Sequence, residues 1–331
     1  MKAVQYVRYG PPEVLELVDA PAPVPAEGQA VVRVIASSVN PVDWHSIRGE
    51  PLIARSQMGL RAPKSSGIGA DLAGIVEQVG PGVTNVKPGD EVLGMSVRTW
   101  AELAAVKAEG LVLRPTNVGW EDAGVVGVAA LTALQGLRDK GQLEPGQRVL
   151  VAGAGGGVGH FAVQIAKALG GHVTASTNAA HLAMVQGLGA DEVIDYAVSD
   201  PTAAGGFDVI FDAGGWLSLR QLRRGLRPGG RALMAGAGSH PNLAGIVGQL
   251  IAASLMSRVG TRRYVSYLAH RTHDDLQFLA GLLADGRLRP VIDRRYDLDE
   301  IRAAVAYQET GAAGGKVAIT VQEAISAESR S

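Results

Sequence analysis

The sequence predicts an α/β protein: a mostly-β segment followed by a doubly wound parallel sheet of six strands. Three observations carry that expectation. The first third holds short β-like runs broken by Gly and Pro. From about Glu121 strand-like and helix-like patterns alternate, as crossover connections require. A glycine-rich turn, Gly153 to Gly159, joins an apolar run to a helical one.

The elements follow in order. Ala3 to Arg8, Ala30 to Ala36, Leu72 to Val79, Glu91 to Met95 and Glu102 to Val106 read as strands. Breakers separate them: Gly10-Pro11-Pro12, Pro21 to Pro25, Gly80-Pro81-Gly82 and Lys87-Pro88-Gly89-Asp90. Arg48 to Gly69 reads as a long, mobile loop, of the kind that serves as a lid or substrate wall. In the second part, strands are expected at Arg148 to Ala152, His172 to Ser176, Glu192 to Ile194, Asp208 to Asp212, Arg231 to Ala235 and Arg262 to Leu268. Helical spacing marks Val158 to Leu169, His181 to Leu188, Leu217 to Leu226 and Leu243 to Met256. The tail adds helices Asp274 to Asp285 and Leu298 to Glu309, and strands Val291 to Asp293 and Lys316 to Val321. Periodicity alone leaves open which unit the tail joins. The polar last residues read as frayed.

Composition narrows the function. Hydrophobic residues are 47% and charged residues 19%, as in a globular chain. Lys and Arg number 31 against 32 Asp and Glu, so no basic field points to nucleic acid. Cysteine is absent, which excludes disulfides, thiolate metal sites, iron–sulfur clusters and a cysteine nucleophile. The start, Met1-Lys2-Ala3-Val4-Gln5-Tyr6, reads as a strand rather than a signal peptide. The apolar run Leu243 to Met256 is shorter than the ~20 residues of a membrane span. A cytoplasmic protein without membrane partner is expected.

The turn Gly153-Ala154-Gly155-Gly156-Gly157-Val158-Gly159 suits a dinucleotide pyrophosphate. Glycine is needed where the chain turns, where backbone meets phosphate and where helix packs on strand. The following helix offers free N–H groups and a positive dipole end. An acid binding the adenosine ribose is expected ~20 residues on. That stretch instead reads Ser176-Thr177-Asn178, with His181 as its one potential cation. The small polar residues leave room for a 2′-phosphate, so NADP(H) is expected over NAD(H). A glycine-rich turn that binds nothing is the alternative.

The run Gly146-Gln147-x-x-Leu150 through Gly155-Gly156-Gly157-x-Gly159 to Gln164 and Lys167 resembles the quinone oxidoreductase/zeta-crystallin branch of the medium-chain dehydrogenase/reductase superfamily. Asn40-Pro41-Val42-Asp43, Gly69-Ala70-Asp71-Leu72-Ala73-Gly74, Leu131-Thr132-Ala133, Arg227-Pro228-Gly229-Gly230 and Gly315-Lys316-Val317 follow in that branch's order. The resemblance implies a GroES-like catalytic domain over residues 1–121, a Rossmann NADP(H)-binding domain over 122–268, and a return to the catalytic domain over 269–331. It implies a homodimer that reduces quinones, enones or enals. It also implies no metal: where zinc relatives carry Gly-His-Glu, this chain has Gly69-Ala70-Asp71, and the thiolates are missing.

Without a Lewis acid nothing lowers an alcohol's pKa, whereas hydride addition to an activated C=C or quinone needs only orientation and donors to the oxygen that gains charge. By resemblance Asn40 is the first candidate donor, against a turn Asn capping backbone before Pro41. His45 is a candidate for returning the proton, against an exposed His. Asp43 reads as structural, and Trp44 as a pocket wall or packing residue. Candidate cofactor contacts also include Thr132, Tyr196, Asp212, Ala213, Gly214, Ala235, Gly236 and Lys316, the last with a surface position as the favoured alternative. Gly127 and Arg98-Thr99 depart from the branch pattern, where Pro and a Gly pair are usual. The Arg- and Tyr-rich stretch Arg258 to Arg271 reads as solvated strand and interface. Two rival functions remain: a dinucleotide-binding sensor or RNA-binding, crystallin-like protein with little catalysis, and a tailoring enoyl-thioester reductase.

Overall fold

The computed structural model describes residues 1–235 and 243–323. Two compact units result, one of Met1–Val128, Arg271–Asp285 and Ile292–Ser331, the other of Ala129–His270 and Gly286–Val291. In chain order the strands are β1 (Lys2–Gln5), β2 (Glu16–Asp19), β3 (Gln29–Val39), β4 (Asp71–Val79), β5 (Glu91–Met95), β6 (Leu103–Lys107), β7 (Leu111–Leu113), β8 (Arg148–Ala152), β9 (His172–Thr177), β10 (Glu192–Asp195), β11 (Phe207–Asp212), β12 (Leu226–Met234), β13 (Arg263–Ser266), β14 (Ile292–Asp297) and β15 (Lys316–Thr320). The helices are α1 (Pro41–Arg48), α2 (Arg55–Met58), α3 (Trp120–Gly124), α4 (Gly127–Leu134), α5 (Gly159–Ala168), α6 (Leu182–Gly187), α7 (Leu219–Gly225), α8 (Leu243–Val259), α9 (His273–Ala284) and α10 (Ile301–Glu309).

In the first unit a seven-stranded sheet runs β14-β15-β3-β4-β5-β7, with β6 also on β3. β3 is its spine. Its Val- and Ile-rich sequence is buried along most of its length, so it is covered on both faces. β15 lies antiparallel to β3, Val317 opposite Val39. β4 lies antiparallel on the other side, Ala73 opposite Ala36. Tyr6, Leu15, Ile47, Trp100 and Val317 share one core cluster.

The second unit is the expected doubly wound sheet: six parallel strands in the order β10-β9-β8-β11-β12-β13. That order places β8 and β11 at the centre and reverses direction between them, the switch point where such sheets bind ligands beyond their carboxyl ends. β11 is buried at every residue, as a central parallel strand demands. Leu150, Ile210, Leu222 and Ala232 belong to one core cluster.

Several elements differ from expectation. β2 pairs only with β1, and its acidic ends, Glu16 and Asp19, hide it from an apolar-run search. α1 starts at Pro41, whose fixed φ suits a first helical turn, and stops at Gly49 in the left-handed region. Within Arg48 to Gly69 the chain forms α2, and the Arg55 guanidinium donates to the carbonyls of Gly49 and Arg48. β12 begins earlier than Arg231, because a register shift against β11 admits Pro228, which has no N–H for the ladder.

Gln164 on α5 fixes residues 286–291 to this unit. Its amide donates to the Arg289 carbonyl at 3.0 Å and accepts the Arg289 N–H at 2.8 Å. Gln164→Leu leaves both backbone groups without that partner. It should lower stability by about 1–3 kcal/mol, seen as a lower urea midpoint for the second unit. An unchanged midpoint would show that the amide clamp carries no weight.

Candidate active site and dinucleotide loop

The first unit gathers a polar centre from strand ends. Since β15 and β4 both run antiparallel to β3, the heads of β15 and β4 meet the tail of β3. Lys316 heads β15, Asp71 heads β4, and Ser38 lies near the tail of β3, one residue past which Asn40 opens α1.

Asp71 has no exposed surface. Its Oδ1 accepts the Val128 N–H at 2.6 Å, at the amino end of α4, where a carboxylate also favours the helix dipole. Its Oδ2 accepts from the Ser38 hydroxyl at 2.6 Å, the Asn40 amide at 2.9 Å and the Lys316 ammonium at 3.3 Å. Lys316 also donates a short hydrogen bond to Asn40 Oδ1. The Asn40 amide donates further to Ser38 Oγ at 3.3 Å. The Trp100 indole N–H caps the Ser38 carbonyl at 3.2 Å.

This geometry corrects two expectations. Lys316 is only 2% exposed, so it is not a surface lysine. Both Asn40 amide hydrogens are spent on Asp71 and Ser38, so in this arrangement Asn40 has none to give a substrate oxygen. The departure at Gly127 also gains a reason. A Cβ there would lie 2.6 Å from Asp71 Oδ1 and 2.9 Å from the Gly94 carbonyl. Arg98 has φ 64, the conformation that a glycine adopts without strain.

Asp43 lies beneath this centre and accepts the Asn40 backbone N–H at 2.8 Å. Burial pushes its carboxyl up to about 7, and the Asp71 charge adds to the rise. His45 is half-buried and stacks on Trp44, ring centroids 3.6 Å apart. Its Nδ1 is buried without a hydrogen-bond partner, and burial holds its pKa below the usual histidine value.

The second unit carries the glycine turn between β8 and α5. Gly153 has φ 76, which turns the chain out of β8. The N–H groups of Gly153 and Ala154 bond the Ser176 carbonyl, tying the turn to β9. Gly155 packs where a Cβ would fall 2.4 Å from Thr177 Oγ1 and 2.7 Å from His181 Nδ1. At Gly159 a Cβ would fall 2.0 Å from the Gly153 carbonyl. Among the described residues, the N–H groups of Gly155, Gly157, Val158 and Gly159 have no acceptor. Donors at a helix start with nothing to bond are what a diphosphate fits. Gly156 instead bonds the Gly153 carbonyl.

The other candidates fall in this unit too. Ser176 and Thr177 are buried, and Asn178 has a buried Oδ1 without a partner. Tyr196 is exposed and its N–H bonds the Thr177 carbonyl. The Asp212 carboxylate is spent internally, accepting from Gly215, Trp216 and Leu217 at 2.8–3.1 Å, so it shapes the turn that includes Ala213 and Gly214. Burial raises its pKa against those bonds. Ala235 follows β12 and its N–H bonds the Asp212 carbonyl. Gly236 lies outside the described residues. Thr132 sits on α4, its carbonyl accepting from the Tyr267 hydroxyl at 2.7 Å. Asp71, Ser38 and Tyr267 were not singled out from sequence as site residues. The available signal was a lysine heading the apolar strand Lys316-Val317-Ala318-Ile319, since a charge leading a buried strand needs a partner.

Two outcomes are expected. Folded Asp43 keeps its proton to about pH 7, whereas the unfolded chain releases it near pH 4. The folded state therefore binds more protons in that window, and this group makes stability fall as pH rises from about 4 to about 7. Asp43→Asn should make that fall shallower in urea midpoints; parallel wild-type and variant curves would refute it. Gly127→Ala should destabilise the first unit by about 1–3 kcal/mol through overpacking against Asp71, read as a lower melting temperature.

Comparison with known proteins agrees with this architecture. Residues 26–116 match the alcohol dehydrogenase GroES-like domain and residues 188–319 the zinc-binding dehydrogenase family. A chloroplast envelope quinone oxidoreductase homolog from Arabidopsis thaliana is 32% identical over 96% of this chain and 98% of its own. An NADPH-dependent alkenal/one oxidoreductase of the same plant is 29% identical over 96% of this chain and 79% of its own. The solved quinone oxidoreductase from Coxiella burnetii superposes with a TM-score of 0.85 at 29% identity, covering 97% of this chain and 99% of that one. With a sheet in 3-2-1-4-5-6 order, a glycine turn at its switch point and full-length relatives of this kind, the chain belongs to the quinone oxidoreductase branch of the medium-chain dehydrogenase/reductase superfamily.

Proposed function

We propose that the protein is an NADPH-dependent, zinc-independent oxidoreductase that reduces quinones or α,β-unsaturated carbonyls by hydride transfer. The observation that carries this reading is one chain holding both a glycine turn with unspent N–H groups and a polar centre built around a lysine. The relatives' names support the substrate class. The unit of residues 129–270 and 286–291 serves as the NADP(H)-binding domain, close to the expected 122–268, and the unit of 1–128, 271–285 and 292 onward serves as the catalytic domain. Gly153–Gly159 would hold the cofactor's diphosphate, Ser176, Thr177, Asn178, His181 and Tyr196 its adenosine end, and Thr132, Asp212–Gly214 and Ala235 the remainder, with Gly236 a further candidate contact. His45 returns the proton.

The family description names zinc, and the residues present do not fit it. Zinc prefers thiolate and imidazole. The chain has no cysteine, Ala70 stands where relatives carry the histidine, and the Asp71 carboxylate is filled by Lys316, Asn40, Ser38 and Val128. Among the described residues no three His, Asp or Glu side chains converge. No helix there is long and apolar enough to cross a membrane. A cytoplasmic homodimer completes the reading, supported by the outer edge of β13, unpaired among the described residues.

The bound nicotinamide supplies hydride. The chain's own residues hold the dinucleotide, orient the acceptor and donate hydrogen bonds to the oxygen that gains charge. The purified protein should oxidise NADPH with members of a quinone and alkenal panel; no turnover with any acceptor would overturn the reading. NADPH should bind at least tenfold tighter than NADH, about 1.4 kcal/mol, in fluorescence titration. Gly155→Val, which fills the turn against Thr177 and His181, should weaken NADPH binding at least tenfold; equal titration curves would contradict that.

A further inference from the structure

The ammonium of Lys316 has three hydrogens. Asn40 Oδ1 takes one and Asp71 Oδ2 another. Among the described residues no acceptor meets the third, although the residue is 98% buried by its 2% exposure. A buried charged group one partner short is costly, and such shortfalls persist where a ligand completes the set. The network also holds the ammonium in place. Asp71 is fixed by the Val128 N–H and the Ser38 hydroxyl, and Asn40 by its amide bonds to Asp71 and Ser38. A fixed cation with a spare donor is the arrangement that stabilises developing negative charge.

We propose that Lys316 is the electrophilic catalytic residue, its third N–H donating to the carbonyl or quinone oxygen of the acceptor. This rests on the hydride-transfer reading above. As hydride from NADPH forms a C–H bond at the electrophilic carbon, the C=C π pair shifts, the C=O π pair moves onto oxygen, and an enolate or hydroquinone anion results. NADPH is oxidised to NADP⁺ and the acceptor is reduced by two electrons. Lys316 keeps its proton and only hydrogen-bonds the oxyanion. Water then supplies, relayed through His45, the proton that completes the saturated carbonyl or hydroquinone.

The test compares Lys316→Met with the paired variant Lys316→Met/Asp71→Asn, which removes both charges and so keeps the interior neutral should the single variant fail to fold. Turnover with an alkenal is measured beside NADPH binding by fluorescence. The expected result is a loss of kcat of about 100-fold in each folded variant, with the NADPH Kd within threefold of wild type. Ethylammonium added to Lys316→Ala should restore kcat at least tenfold without raising its melting temperature, which a merely structural lysine would not allow. A paired variant with kcat within threefold of wild type would overturn the proposal. So would absence of amine rescue, or a tenfold weaker NADPH Kd with kcat unchanged at saturation, which would place Lys316 on the cofactor. A wild-type protein inactive with every acceptor would sink the hydride-transfer reading and this proposal with it, whereas active wild type with undiminished variants sinks this proposal alone.

Discussion

A carboxylate without access to water must be met by donors, and Asp71 is met on both oxygens. Stripping an ion of water costs several kcal/mol even after the protein relaxes, so each of its partners matters. Those partners come from four places: the tail of β3, the start of α1, the start of α4 and the head of β15. One charge therefore fixes where two helices begin and where the returning carboxyl-terminal strand ends its approach. Removing Lys316 alone would leave that charge uncompensated, whereas removing the pair together would not.

The same arrangement sets the chemistry within reach. A metal lowers the pKa of a bound hydroxyl, which favours oxidising alcohols. An ammonium held between a carboxylate and an amide does less to a hydroxyl but suits an oxygen that becomes negative during the reaction. Asn40 acts in this scheme by holding the ammonium through its Oδ1. Its two amide hydrogens serve the network, so its part is to position Lys316. His45 stands apart from the network, stacked on Trp44 with a buried, unpartnered Nδ1, and burial holds its pKa below the usual histidine value.

Much of the second unit could be read from sequence because each central strand is a short apolar run closed by a breaker. Arg148–Ala152 and Phe207–Asp212 are buried on both faces, and such strands leave a plain signature. The glycine turn is equally local: its residues contact one another and β9. The hairpin strand Glu16–Asp19 and the short helix Pro41–Arg48 left no such trace, since neither is an apolar run or a long periodic one. The polar centre was legible only in part. From sequence Asn40 is a candidate donor, whereas Asp43 reads as structural and Lys316 as a surface lysine, because their bonds depend on β3 lying between β4 and β15. Lys316 and Asn40 are 276 residues apart, and no local pattern spans that separation. The buried position of Lys316 follows from strand order, which periodicity does not supply.

The central claim is a charged lysine, pinned by Asp71 and Asn40, with one hydrogen to spare. Neutron diffraction from deuterated crystals near pH 7 would see that arrangement directly. The account predicts three deuterons on Lys316 Nζ, one toward Asn40 Oδ1, one toward Asp71 Oδ2 and one toward a solvent or ligand oxygen. A deuteron on the Asp71 carboxyl with a neutral Lys316, or a third deuteron bonded to a protein carbonyl, would contradict it.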